Sequence, residues 1–596
     1  MTLPRAWRDP TKIRACRPRP ATDAPAQIPD SKVGQLAHLV RTCGALELIE
    51  PELDGRPGPS GLPVETVLTG LLLALHYHDT ASLADACRVL LDEVSDTAKH
   101  WLGADHVDRT DPHARIAFCK RVYRTFDRIT TALDPQRVDR RRRLPLDQAA
   151  AHAAAWEDAD AEHVRRRRVL QQVSDAFVLT PVRTAITRGL MRGWPGDVGV
   201  DTTAVPAWHH PPSDHRQLGS VETTGGWHYS AGATEGVFGH SLTLAVAASR
   251  RSTTGKRISR HPQLALGAVL DTGGKRPGPN AVHTLTVFAE LGLPTGILAA
   301  DRAYTDQTTE HFQTHVRHLG YQLALDYKQE HRGIQGTHHG ALLIDGSLAC
   351  PLTPHPAATA TTGLDDKQVR AIEADTDLQT KIAARAPFHL KLKQSADSTG
   401  TIRLQCPAAG PTPSITCPRF NRLHPPSRPA PGTIDLTNPR AVAAHPAAKP
   451  AAQIPTAERL KPPPPSELPR ICRKPTITIH PGDLGKLDKF RQDRHYLSPE
   501  WHDAFKPIRA NNEGINGRAK GHRIDLAEPK QRLAHGRAAQ TILVALMLCT
   551  LNLQILHDWK HATGTTEPIP TAENDELPDS PVPAGPAETG RPPPDR

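Results

Sequence analysis

The hydrophobic period of this 596-residue chain changes near residue 196. Upstream, "VETVLTGLLLALHYHD" (64–79) and "SLADACRVLLDEV" (82–94) place apolar residues three and four apart, the period of a helix face. Downstream, "DVGVDTTAV" (197–205), "HSLTLAVAAS" (240–249) and "LALGAVLDT" (264–272) are short β-rich runs. "AVHTLTVFAELG" (281–292) reads as helix, "GILAADRAY" (296–304) as a strand running into its loop, "TEHFQTHVRHLG" (309–320) as helix and "YQLALDYK" (321–328) as a strand. The order β-β-β-α-β-α-β predicts a mixed α/β layer structure.

The chain is too long for one ordinary domain. Residues 1–30, rich in Pro, Arg and Ala, read as a loose arm, and 31–190 as a helical N-terminal region. Residues 191–330 carry the first part of the α/β layer. In 331–500 "GALLIDGSLACP", "FHLKLKQS", "TIRLQCP" and "PTITIHP" read as strands around a Pro-rich stretch, Pro407 to Pro464, without periodicity. Helix returns over 501–560, with Pro507 expected in a first turn. The tail 561–596 is acidic, Pro-rich and expected to be disordered. "TILVALMLCTLNLQIL" (541–556) is shorter than a membrane span and contains Asn552 and Gln554, so it reads as a buried helix.

Net charge is +10 and the isoelectric point about 9.2, a balance that favours a polyanionic partner. Aromatic residues make up 4% of the chain, which argues against a stacking platform for single strands. Arg140 to Arg143 and Arg165 to Arg168 are basic clusters, each either a phosphate clamp or a solvated face. The start, "MTLPRAWRDPTK", has no secretory pattern, so the nine cysteines are expected reduced in a cytoplasmic setting.

Three acids stand where chemistry can use them. Asp201 follows "VGV" on the first strand, Asp301 follows "ILAA" on the fourth, and Glu513 lies on the helix "RANNEGINGRAK" (509–520). A carboxylate cluster of this kind needs neutralising cations. Oxygen-only ligands suit Mg²⁺ or Mn²⁺. Arg509 precedes Glu513 by one helical turn, and Lys520 follows it by two, so a carboxylate is flanked by cations on nearly one face. That pattern suits phosphoryl transfer. "VGVDTTAV", "ILAADRAYTD" and "RANNEGINGRAK" together resemble the three catalytic motifs of the DDE transposases of bacterial insertion sequences.

The resemblance implies an RNase H-like sheet interrupted by a β-rich insertion between the second Asp and the Glu. It also implies a metal-binding triad of Asp201, Asp301 and Glu513 with two ions, and DNA contacts from Arg509 and Lys520. Arg518, Arg523, Lys506 and Arg165, Arg166, Arg167 and Arg168 are the further candidate DNA contacts. The implied partners are double-stranded DNA, both element terminal repeats and target, and a second copy of the chain, with no membrane. The family signature is Tyr-x2-Arg-x3-Glu-x6-Lys, and the Tyr position here holds Lys506. Lys pairs with phosphate but does not stack on a base, which leaves Phe505, Tyr496 and Trp501 as candidates for stacking. A DNA-binding relative without catalysis and a metal-dependent nuclease without strand transfer are the alternatives. Trp227 and Trp501 are expected in the core. Cys350, Cys406, Cys417 and Cys472 lie in the insertion without any CxxC pair, so they read as small buried groups rather than zinc ligands.

Overall fold

The computed structural model describes residues 27–53, 61–104, 106–134, 143–157, 160–229, 234–249, 259–397, 399–424, 437, 454, 457, 461, 463–521 and 523–564. Residues 565–596 of the expected disordered tail, most of the Pro-rich stretch, and Arg140 to Arg142 lie outside the described residues, and so does the expected arm up to residue 26. His561 to Thr563, assigned to the tail from sequence, are instead the end of the last helix. Ile28, assigned to that arm from sequence, is instead buried, and its N–H donates to Glu93 O at 2.8 Å.

The N-terminal region is helical, as its period predicts. Its main helices are α1 (Val64–His78), α2 (Pro112–Leu133) and α3 (Ala161–Thr187). Every residue of α1 from Thr66 to Leu75 is buried, so the helix is enclosed on all sides. The α/β layer follows with β1 (Val198–Pro206), β2 (Gly226–His228), β3 (Val237–Ala247), β4 (Ala265–Thr272), α4 (Pro277–Ala289), β5 (Ile297–Ala300) and β6 (Gln322–Leu325). The sheet order is β4-β3-β1-β5-β6, with β2 also paired to β3. β3 runs antiparallel to its neighbours β1 and β4, while β5 and β6 run parallel to β1. Sequence reading missed β2, a three-residue strand too short to show a period.

Strand alternation divides the sheet into two apolar faces. Val198, Val200, Leu298, Ala300, Leu323 and Leu325 face a core shared with the N-terminal helices and with the last helix. Ile297, Ala299 and Ala324 face a second core, shared with the insertion and with the helix that precedes the last one. The helical region and the sheet therefore bury their apolar surface against each other.

The insertion holds two small antiparallel sheets, β7-β8-β9 (Ile334–His338, Ala341–Ile344, Ser347–Ala349) and β10-β11-β12 (Lys391–Gln394, Ile402–Gln405, Thr476–Ile479). The four strand-like sequences thus form strands, and β7 is an addition. Helix α5 (Pro499–Arg518) then crosses the second face. It starts eight residues before Pro507. Ser498 caps it by accepting from Trp501 N, and Pro499 occupies the first turn. Pro507 sits inside the helix, where it has no N–H to give.

Helix α6 (Arg537–Thr563) contains the long apolar run, and 89% of its most apolar window is buried inside the protein. Among the described residues it is the one helix long and apolar enough to cross a membrane, and its burial makes it a core element here. It packs along α3 and against β4. β4 pairs only with β3, so its outer edge needs partners. Side chains supply them. Asn552 accepts from Ala265 N and donates to Ala265 O, both at 2.9 Å, and donates to Val178 O of α3 at 3.1 Å. Gln171 donates to Ala268 O and Arg537 to Leu270 O.

This arrangement predicts a cost for Asn552→Leu. The substitution leaves a buried N–H and two carbonyls without donors or acceptors, and should destabilise the fold by roughly 3 kcal/mol. The expected result is a lower urea midpoint with native-like circular dichroism at low denaturant. An unchanged midpoint would show that the edge of β4 does not depend on this side chain.

Candidate active site

The register of the parallel strands sets the site. Val200 of β1 is paired with Ala300 of β5, and Ala300 with Leu325 of β6. One row further along lie Asp201, inside β1 where its pairing with β5 stops, and Asp301 and Asp326, just past the ends of β5 and β6. Alternation puts this row on the second face, two residues beyond the small residues Gly199, Ala299 and Ala324. The C-terminal ends of parallel strands are where open α/β sheets place ligands.

Helix α5 covers that face closely. A Cβ at position 199 would stand 3.0 Å from Asn512 Cγ and 3.2 Å from Ile508 Cγ2. The fully buried Asn512 amide lies over β1, oriented to donate to Gly199 O at 3.2 Å and accept from Asp201 N at 3.1 Å. One turn further on, Asn516 donates to Asp201 Oδ2 at 3.2 Å. The polar seam of α5 therefore reads the backbone and side chain of the first acidic position.

Arg509 stands among the carboxylates. Its Nη1 lies 3.4 Å from Asp201 Oδ2, buried and without hydrogen-bond geometry, and its Nη2 lies 3.8 Å from Glu513 Oε1. Asp201, Asp301 and Glu513 each hold its guanidinium charged, against burial that opposes the charge. Asp301 caps the short helix Arg302–Thr305 by accepting from Ala303 N at 2.9 Å. Burial and the neighbouring charge of Asp201 raise the Asp301 carboxyl above its usual range, while Arg509 opposes them. A third bond fixes the pair: Tyr304 Oη lies 3.0 Å from Thr202 Oγ1, which is 3.1 Å from Thr243 Oγ1. The residues beside the two aspartates thus tie β1, β3 and the β5 end together.

Other strand-end aspartates differ. Asp271, at the end of β4, is bound by Arg537 at 2.5 Å, Arg276 at 2.6 Å and Asn280 at 3.1 Å, and its carboxyl is held well below the usual range by the two guanidinium groups against its burial. Asp345 is bound by Arg385, Thr361 and the N–H of Gly333. These two are structural ion pairs. Asp326 is intermediate: Tyr496 Oη donates to it at 2.6 Å, and Arg332 stands 3.9 Å away. Asp201, Asp301 and Glu513 share one guanidinium, so their negative charge exceeds the cation beside them.

That excess and the all-oxygen donor set fit Mg²⁺ or Mn²⁺. Among the described residues no group of three or more His, Cys, Asp or Glu side chains stands at metal-holding spacing. The geometry shows why at this site. The Glu513 side chain is 70% exposed, and Arg509 stands beside both it and Asp201.

The other candidates divide. Lys520 is half-buried, and burial lowers its ammonium while Asp201 and Asp525 act in the opposite direction. Arg518 and Arg523 are exposed. Lys506 pairs with Glu373 of the insertion. Away from this site, on α3, Arg165 pairs with Glu52 and Glu162, Arg166 with Glu162, and Arg167 donates to Trp156 O at 2.8 Å. Arg168 is exposed. Arg143, from the other cluster, donates to the carbonyls of Gly219, Pro211 and Leu218.

The aromatic candidates are built into the fold. Trp501 is buried, stacks on Phe505 with centroids 4.3 Å apart, and meets Tyr496 edge-on. Trp227, expected in the core, is instead 43% exposed on β2 beside Tyr229. Sequence reading also missed Asn512, Asn516, Tyr304 and His228. Burial lowers the His228 imidazole, Lys520 adds to the effect and Asp201 opposes it, so β2 borders the site. No family model, curated protein or solved structure matches this chain.

The raised Asp301 carboxyl gives a signed prediction. The folded state binds this proton more tightly than the unfolded state, so the stability contributed by the group is full below the ordinary carboxylate range and is lost as pH rises through the raised value. Asp301→Asn keeps the helix cap and removes the charge. Its thermal midpoint should exceed that of the parent at pH 7, and the advantage should shrink as pH falls below the ordinary carboxylate range. Mn²⁺ should raise the midpoint of the parent and not of the variant. A parent midpoint indifferent to Mn²⁺ and Mg²⁺ would count against a cation site here.

Proposed function

We propose that this chain is a DDE transposase, cutting DNA at element ends and joining the freed ends to target DNA. The observation that carries the reading is the meeting of Asp201, Asp301 and Glu513, from three distant segments, around Arg509. The sheet supports it. Three antiparallel strands followed by two parallel to the first, in the order β4-β3-β1-β5-β6, is what the expected RNase H-like sheet calls for. An insertion falls between the second acid and the helix bearing the third.

Asp201, Asp301 and Glu513 would hold divalent ions, which when bound activate water and stabilise the leaving oxygen of a phosphodiester. The protein's own groups do the rest. Asn512 and Asn516 fix Asp201, and Ala303 N fixes Asp301. Arg509 offers a planar fork suited to two phosphate oxygens, and Lys520 a point charge from the same face. Arg518 and Arg523 extend the cationic surface along the DNA backbone. Two ends must be brought together, so the active species is at least a homodimer on double-stranded DNA, working in the cytoplasm at the nucleoid.

The test uses the DNA flanking the gene as end substrate, with Mg²⁺ or Mn²⁺. Asp201→Asn, Asp301→Asn and Glu513→Gln should each lower cleavage by at least about 10²-fold, and the triple variant by little more than any single one. End binding should survive in all of them, and should weaken steeply between about 50 and 200 mM salt. Full cleavage by any one variant would remove that residue from the site. A parent protein that binds ends but never cuts them would favour the non-catalytic reading. Cutting without joining of pre-cut ends would favour a nuclease.

A further inference from the structure

The insertion contains four cysteines, and folding brings all four to one place. Cys350 follows β9, Cys406 follows β11, Cys417 begins the short helix Pro418–Leu423, and Cys472 lies on the short helix Arg470–Arg473. All are buried and none is in a disulfide. They line one small cavity of about 10 Å³, together with Leu390, Phe420 and Ile471. The pairing of strands accounts for the meeting. Cys406 N donates to Pro475 O at the start of β12, three residues after Cys472, and Cys350 N donates to Phe388 O.

Two of the cysteines sit in matching turns. Cys350-Pro351 and Cys406-Pro407 each fold back, with Thr353 N donating to Cys350 O and Ala409 N to Cys406 O, both at 3.0 Å. In each turn the second amide after the cysteine is aimed at its sulfur: Leu352 N lies 3.5 Å from Cys350 Sγ, and the Ala408 amide favours a charged Cys406 in the same way. An amide pointed at sulfur stabilises a thiolate and orients it, as outer-shell donors do for metal ligands. Cations stand nearby as well. Arg419 Nη1 is 4.0 Å from Cys472 Sγ, and Lys391 interacts with Cys406. Packing small apolar groups together requires neither the paired turns nor the cations.

We infer that Cys350, Cys406, Cys417 and Cys472 form a structural metal site in the insertion, taking one tetrahedral zinc. Sulfur-only donors select zinc among the common divalent ions, with bonds of about 2.3 Å. The sulfurs surround the cavity but are not drawn to ligand spacing in this arrangement. They act on one another nonetheless: Cys406, Cys417 and Cys472 all raise Cys350, which burial has already raised. The proposal departs from the expectation from spacing, because two ligands would come from Cys-Pro turns 56 residues apart rather than from one CxxC loop. The site would staple β9, β11 and the two short helices. A metal staple adds folding energy where a small β-rich unit has little core of its own.

The experiment is metal analysis of the full-length chain, purified reduced and without chelator. About one zinc per chain is expected. Cys406→Ser and Cys472→Ser should each lose it. Replacement by Co²⁺ in the parent should give the intense sulfur-to-cobalt charge-transfer absorption of a tetrahedral thiolate site, a signature independent of how the variants fold. Absence of zinc together with no uptake of added Zn²⁺ or Co²⁺ would overturn the inference. So would full zinc occupancy in a Cys406→Ser, Cys472→Ser double variant, or iron in place of zinc.

Discussion

The seating of α5 on β1 is the constraint on which the site depends. Gly199 has no side chain, so Asn512 and Ile508 can rest directly on the strand. That close approach lets the Asn512 amide bridge Gly199 O and Asp201 N, and brings Arg509 and Asn516 to the Asp201 carboxylate. A side chain at position 199 would lift the helix, and the charge of Arg509 would leave the acids it now serves. The row of acids would then face itself with less cation than it has, and burial makes such repulsion costly.

The contrast with the opposite edge of the sheet gives this arrangement its meaning. At the end of β4 Asp271 is satisfied by two arginines and an asparagine, so nothing further is needed there. On β1 and just past β5 Asp201 and Asp301 share Arg509 with Glu513, and Arg509 itself keeps a buried Nη1 without a hydrogen bond. One half of the sheet has its acids neutralised and the other keeps an excess of negative charge. The Tyr304–Thr202–Thr243 chain links β1, β3 and the residues after β5 without neutralising the acids.

Much of this was legible in the sequence because it depends on local period and spacing. The five strands β1, β3, β4, β5 and β6 follow from short β-rich runs, and the Arg509–Glu513–Lys520 face from helical geometry. What depends on pairing was not legible. Asp326 looks like an ordinary turn residue until the β5–β6 register sets it beside Asp301. Arg165, Arg166 and Arg167 read as a free basic cluster until Glu52, Glu162 and the Trp156 carbonyl are brought to them. The start of α5 is legible in Ser498-Pro499, a helix-start pattern, while Pro507 is the same residue type at a position inside the helix, where local sequence alone marks it equally well as a start. The four insertion cysteines become a cluster only when β11 pairs with β12, across a gap in sequence that no local motif spans.

The central claim is that Asp201 and Asp301 form one cation-holding unit that Arg509 shares. Anomalous diffraction from crystals of the full chain grown with Mn²⁺ and an end-DNA duplex tests it most directly. The account predicts manganese bound between the carboxylates of Asp201 and Asp301, with Glu513 turned inward and Arg509 moved from Asp201 onto a DNA phosphate. Manganese bound elsewhere, with Arg509 still paired to Asp201 and the DNA seated on another face, would contradict it.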